Sequence, residues 1–122
     1  MARILLAEDN ESLRDSCVML LEAFGHTVVA ANDGQAAFEL LLSQEDPHDF
    51  DLVVSDLEMP RLDGLALRGR MRARAKLVDT PFILHTATNI PTLDELCQRL
   101  DATLFIKGSG NLADVVAKVL AE

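Results

Sequence analysis

Five short apolar runs alternate with five stretches of helical periodicity, and no other feature restricts the possible folds so strongly. The runs are "RILLA" (3–7), "TVVAA" (27–31), "DLVVS" (51–55), "PFILHT" (81–86) and "ATLFI" (102–106). Leu52-Val53-Val54 is continuously apolar, as a strand covered on both faces should be. Between the runs, helices are expected at 11–24, 34–44, 65–75, 92–100 and 111–121. Leu13, Cys17, Leu20 and Phe24 recur at helical spacing before Gly25 stops the first helix. Asp33 reads as the N-cap of the second, Asp63-Gly64 as the turn before the third, and Pro91 as a first-turn residue of the fourth. "DPHD" (46–49) reads as a loop. The arginines at 68, 70, 72 and 74 read as a solvated helix face.

Strand–helix alternation implies a mostly parallel sheet between two helix layers. Crossovers are right-handed, so the fold class is a doubly wound α/β three-layer sandwich of flavodoxin-like form. Five strands in the order 2-1-3-4-5 are expected, in one domain of 122 residues. The chain end suits both a stand-alone domain and the first part of a longer protein. The net charge of −9 disfavours direct binding to nucleic acid. No apolar run reaches the ~20 residues that span a bilayer, and "MARILLAEDN" does not resemble a signal peptide, so a cytoplasmic, non-membrane location is expected. Cys17 and Cys97 lack metal-ligand spacing and read as reduced packing residues.

In such sheets ligands bind beyond the carboxyl ends of the strands. The first strand ends in Glu8-Asp9, the third in Asp56, the fourth in Thr86 and the fifth in Lys107. Three carboxylates, a hydroxyl and an ammonium therefore converge on one edge. Close carboxylates repel unless a cation sits among them. An all-oxygen donor set completed by water suits Mg²⁺, at about 2.0–2.1 Å. A carboxylate can also attack phosphorus and form an aspartyl phosphate. Asp56 ends the central strand and is the best nucleophile candidate. A cation, Lys107 and Thr86 then suit the charge spread over the phosphoryl oxygens.

Four segments, "LLAEDN", "LVVSDLEMPRLDG", "ILHTA" and "FIK", together resemble a response-regulator receiver domain of two-component signalling, and the resemblance covers essentially the whole chain. It implies that Asp56 takes a phosphoryl group from a histidine kinase or histidine phosphotransferase. It implies Mg²⁺ (or Mn²⁺) bound by Asp9, Asp56 and the backbone carbonyl of Glu58, with Glu8 assisting. Thr86 and Lys107 would hold the phosphoryl oxygens, and Phe105 would be the aromatic that turns inward on activation. The output partner or domain would use the face formed by helix 92–100, strand 102–106 and helix 111–121, and a homodimer is compatible. The expected role is a switch that catalyses only its own phosphorylation and dephosphorylation.

Two departures stand out. Gly108, with Ser109-Gly110, replaces the family's usual proline after the lysine, so a trans, mobile joint is expected, with Lys107 engaging fully only beside phosphate. "LDATLFIKG" also lacks the usual Gly-Ala pair before the strand. Two rival readings stand beside this one. A receiver-shaped interaction module would never be phosphorylated. A phosphohydrolase of the haloacid dehalogenase type would want an aspartate where Glu58 stands, and cap elements that this length does not hold.

Overall fold

A computed structural model describes residues 1–43 and 50–122. The loop expected at 46–49 lies outside the described residues. The strands are β1 (Arg3–Ala7), β2 (Thr27–Ala31), β3 (Leu52–Ser55), β4 (Phe82–Thr86) and β5 (Thr103–Ile106). The helices are α1 (Glu11–Ala23), α2 (Gly34–Ser43), α3 (Gly64–Arg72), α4 (Pro91–Arg99) and α5 (Leu112–Leu120). All four strand pairings are parallel, in the order β2-β1-β3-β4-β5. Among the described residues no helix is long and apolar enough to cross a membrane.

Strand alternation sends successive side chains to opposite faces and so divides the core in two. Leu5, Val53, Leu84 and the partly buried Leu104 face α2, α3 and α4, whose contributions include Phe38, Leu67, Met71, Leu93 and Cys97. Ile4, Leu6, Val54, Ile83 and Phe105 face α1 and α5, which supply Cys17, Leu21, Leu112 and Val116. Both cysteines are buried and free, one on each face of the sheet.

The caps are side-chain carbonyls and carboxylates: Asp33 as expected, and Asn10 and Asp63 besides. Asn10 caps α1 and Asp63 caps α3, through side-chain oxygens that accept from the amides of Leu13 and Ala66. Asp33 does the same for α2, accepting from the Ala36 amide at 2.7 Å. Pro91 stands in the first turn of α4.

The third helix departs from expectation twice. It ends at Arg72 rather than 75, because the chain must turn to bury Leu77 and reach β4. Its arginines are also not a uniformly solvated face. Arg68 is buried, and its guanidinium donates to the carbonyls of Thr80 (2.8 Å), Leu100 (2.9 Å) and Asp101 (2.9 Å). A charge can be buried when hydrogen-bond acceptors meet it, as these three carbonyls do. Burial pulls its pKa down to about 10, so it stays charged at neutral pH. Arg70 and Arg74 lie over the Phe38 ring, at 5.6 and 5.5 Å from its centre.

Candidate functional site

The parallel register brings all the carboxyl ends of the strands to one edge. Ala7 pairs with Ser55, and Thr86 with Ile106, so the residues just after β1, β3 and β5 emerge side by side. Glu8, Asp9 and Asp56 each offer a carboxylate oxygen within 4.8 Å of the others. Glu8 is buried and Asp9 is exposed. The backbone fixes the first and third of these. The Glu8 amide donates to the Ala31 carbonyl at 3.1 Å, and the Asp56 amide to the Ala7 carbonyl at 3.0 Å.

Lys107 sits against this cluster. Its Nζ lies 3.1 Å from Glu8 Oε1 and 3.3 Å from Asp56 Oδ2. The lysine therefore reaches two of the three carboxylates. The Lys107–Gly108 peptide is trans. Burial alone would favour neutral Lys107, but the hydrogen bond to Glu8 and the charges of Asp56 and Glu8 outweigh it and raise its pKa. Glu8 is raised as well: burial opposes its charge most strongly, and with the repulsion of Asp56 it outweighs the hydrogen bond from Lys107. Three carboxylates facing one ammonium leave surplus negative charge. That surplus, with its oxygen-only donors, fits a hard divalent cation.

The other Asp56 oxygen, Oδ1, accepts from the Leu57 amide at 2.8 Å. The chain then leaves β3 through a loop held close to the site. Gly64 donates to the Leu57 carbonyl at 2.8 Å, and any Cβ at Gly64 would stand 2.2 Å from the Asp56 carbonyl oxygen. This explains "DG" after the strand: only glycine lets α3 start so close to the acceptor backbone. The Glu58 side chain accepts from the Thr88 hydroxyl at 3.0 Å, which ties this loop to the one after β4.

Thr86 is buried, and its Oγ1 accepts from the Thr88 amide at 3.1 Å. Thr86 and Phe105 do not come together. Two residues separate Thr86 from Leu84, so it shares the face of Leu84 and Leu104 that meets α4. Phe105 lies on the opposite face, already buried, stacked on His85 with ring centres 5.4 Å apart. The residue of β5 on the threonine's side is Leu104. Counting parity along the two strands would have revealed this from the sequence.

Sequence reasoning missed three further residues. Arg61 pairs with the buried Asp33, an interaction between loops that no local pattern signals. Thr88 had its signal in its distance of two residues from Thr86. His85, behind the site on the α1/α5 face, lines a cavity of about 270 Å³ with Cys17, Leu20, Phe105 and Leu112.

The family model described as the response regulator receiver domain matches residues 4–119. The chain is 35% identical, over 120 residues, to the CAI-1 autoinducer sensor kinase/phosphatase CqsS of Vibrio cholerae; the match covers 98% of this chain and 17% of CqsS. It spans well under two thirds of that relative. The structure superimposes on the non-phosphorylated HemR receiver domain of Leptospira biflexa with a TM-score of 0.83, at 30% identity, over 100% of this chain and 96% of that one. It also superimposes on the response regulator TrrA of Thermotoga maritima in complex with Mg²⁺-BeF, with a TM-score of 0.78, at 29% identity, over 98% of this chain and 96% of the other. With the sheet order, the acidic cluster and the lysine already in place, the chain belongs to the response-regulator receiver domain family.

Proposed function

We propose that Asp56 accepts a phosphoryl group from a histidine kinase or histidine phosphotransferase in a Mg²⁺-dependent reaction. The observation that carries this reading is the position of the Asp56 carboxylate, clustered with Glu8 and Asp9 and 3.3 Å from the Lys107 ammonium. An Asp56 oxygen forms the new O–P bond as the P–N bond of the donor phosphohistidine breaks, and the electron pair leaves with the imidazole. Lys107 and the Thr86 hydroxyl bind the oxygens of the transferred group and orient it. Asp9, Asp56 and the Glu58 carbonyl would hold the cation, with Glu8 assisting. A divalent cation held there, Mg²⁺ or the similarly oxygen-seeking Mn²⁺, would supply positive charge against the phosphoryl oxygens.

The signal then spreads along the face that Thr86 shares. Drawing its hydroxyl toward phosphate breaks its contact with the Thr88 amide and frees space beside Leu104. The loop after β4, α4 and β5 respond. An output domain or protein would read the α4/β5/α5 surface, in the cytoplasm, where phosphohistidine donors of this class work. The domain turns over only its own phosphate. Incubation with a small-molecule phosphodonor and Mg²⁺, with intact-mass and peptide mass spectrometry as the readout, tests the reading. One phosphate on the peptide carrying Asp56 is expected. No adduct at any donor concentration would favour an unphosphorylated interaction module.

A further inference from the structure

The loop from Leu57 to Gly64 is closed at its ends by the hydrogen bond between those two residues. The contacts that hold its middle decide where the backbone of Glu58 points. The middle residue is Arg61. It is not glycine, yet it has φ of 69°, a left-handed conformation that persists only where surroundings enforce it. The enforcement comes from β2–α2. Arg61 Nε donates to Asp33 Oδ2 at 3.1 Å, and Nη2 donates to the same oxygen. Asp33 is 1% exposed, whereas the Arg61 side chain is largely in solvent. Asp33's other oxygen is already used in capping α2. Among the described residues the buried carboxylate therefore has one cation, and that cation reaches in from the phosphoacceptor loop. Next to it, Leu62 is buried, and a Cβ at Gly34 would stand 2.0 Å from the Leu62 carbonyl oxygen.

We propose that the Arg61–Asp33 pair is a positioning latch, which fixes the phosphoacceptor loop so that the Glu58 carbonyl faces the cation site. This rests on the Mg²⁺ reading above and adds residues that touch neither metal nor phosphate. Pro60 sets φ on one side of Arg61 and the Asp63 cap sets the other, so releasing Arg61 frees rotation in the short segment that carries Glu58.

Two substitutions isolate the pair without removing other structure. Arg61→Gly keeps the left-handed backbone at no steric cost while deleting the guanidinium. Asp33→Asn keeps a side-chain cap for α2 while deleting the charge. The readout is a Mg²⁺ titration monitored by the amide NMR shifts of Leu57 and Glu58, with thermal unfolding in parallel. Each single variant is expected to bind Mg²⁺ about 10-fold more weakly, the low end for groups acting behind a metal ligand. The double variant should be no weaker than either single one, because one interaction is lost in all three. Arg61→Lys should recover part of the affinity. If both single variants bind Mg²⁺ within twofold of the unmodified chain, the latch is overturned, whatever happens to the melting temperature. If the unmodified chain shows no Mg²⁺-dependent shift at these amides, the metal reading itself fails and the latch falls with it.

Discussion

Replacing Arg68 by alanine tests how a buried charge can hold this fold together. The side chain gives three charge-assisted bonds to the carbonyls of Thr80, Leu100 and Asp101. Removing it strands the Thr80 carbonyl in the interior, at roughly 1–3 kcal/mol. Leu100 and Asp101 lie nearer solvent, so water can replace the guanidinium there, and each loses about 0.5 kcal/mol net. Losing the guanidinium's place over the Phe82 ring, 5.4 Å from its centre, together with the burial of the side chain, adds roughly 1–2 kcal/mol. Against this stands the cost of keeping a guanidinium out of water, which the variant no longer carries. The balance is about 3 kcal/mol of destabilisation. At a urea slope of about 1.5 kcal/mol per M, the unfolding midpoint falls by about 2 M. Arg68→Lys keeps the charge but cannot span three carbonyls, and should fall about half as far. Equilibrium urea unfolding, monitored by far-UV circular dichroism, measures both. Amide exchange should quicken at the end of α4, residues 100–102. A midpoint shift under about 0.5 M for Arg68→Ala would refute the reasoning, because the three bonds would then do no more than offset the desolvation of the charge.

Three other outcomes are expected. Asp56→Ala should abolish phosphate incorporation, read by mass spectrometry, while circular dichroism shows the fold intact; the variant should be no less stable, since one of three crowded carboxylates is gone. Asp9→Asn should weaken Mg²⁺ binding and phosphorylation together, and an unchanged Mg²⁺ titration would remove Asp9 from the site. His85 carries a pH dependence: burial first, and then Lys107, push its pKa from 6.5 to about 4, so the folded chain holds it neutral while the unfolded chain protonates it. Its contribution is therefore complete above pH 6.5 and declines as the pH falls toward 4, by roughly 1–2 kcal/mol once solvent at the cavity mouth is allowed for. The urea midpoint of His85→Phe should fall less between pH 7 and pH 4.5 than that of the unmodified chain, and equal falls would contradict the assignment.

The strands were legible because their side-chain burial is written into consecutive apolar residues. Arg3–Ala7 and Thr27–Ala31 match the expected spans, and the other three strands each start one residue later. The converging carboxylates and Lys107 were legible for the same reason: a parallel sheet brings the residues just beyond its strands to one edge. Arg68 was not legible. Its partners lie 12 to 33 residues away in sequence and are backbone carbonyls, which every residue type supplies. A charged residue is also ordinarily a surface residue. The Arg61–Asp33 pair was hidden in the same way: Asp33 read correctly as a cap, and nothing nearby in the chain announced a second partner for it. Pairing Thr86 with Phe105 failed for a different reason. Both residues stand near strand ends, but nearness along the sheet is not enough, because neighbouring positions point through opposite faces.

That two-sidedness has a practical consequence. The sheet works as a partition with α2, α3 and α4 in one room and α1 and α5 in the other. A reporter group attached beside Leu104 or on α4 shares the room into which Thr86 opens, and should register the state of Asp56. The same group placed beside Phe105, in the His85 cavity, stands behind the wall, on the face away from Leu104 and α4. A labelled pair, one probe per room, would turn this small domain into a sensor with its own internal reference.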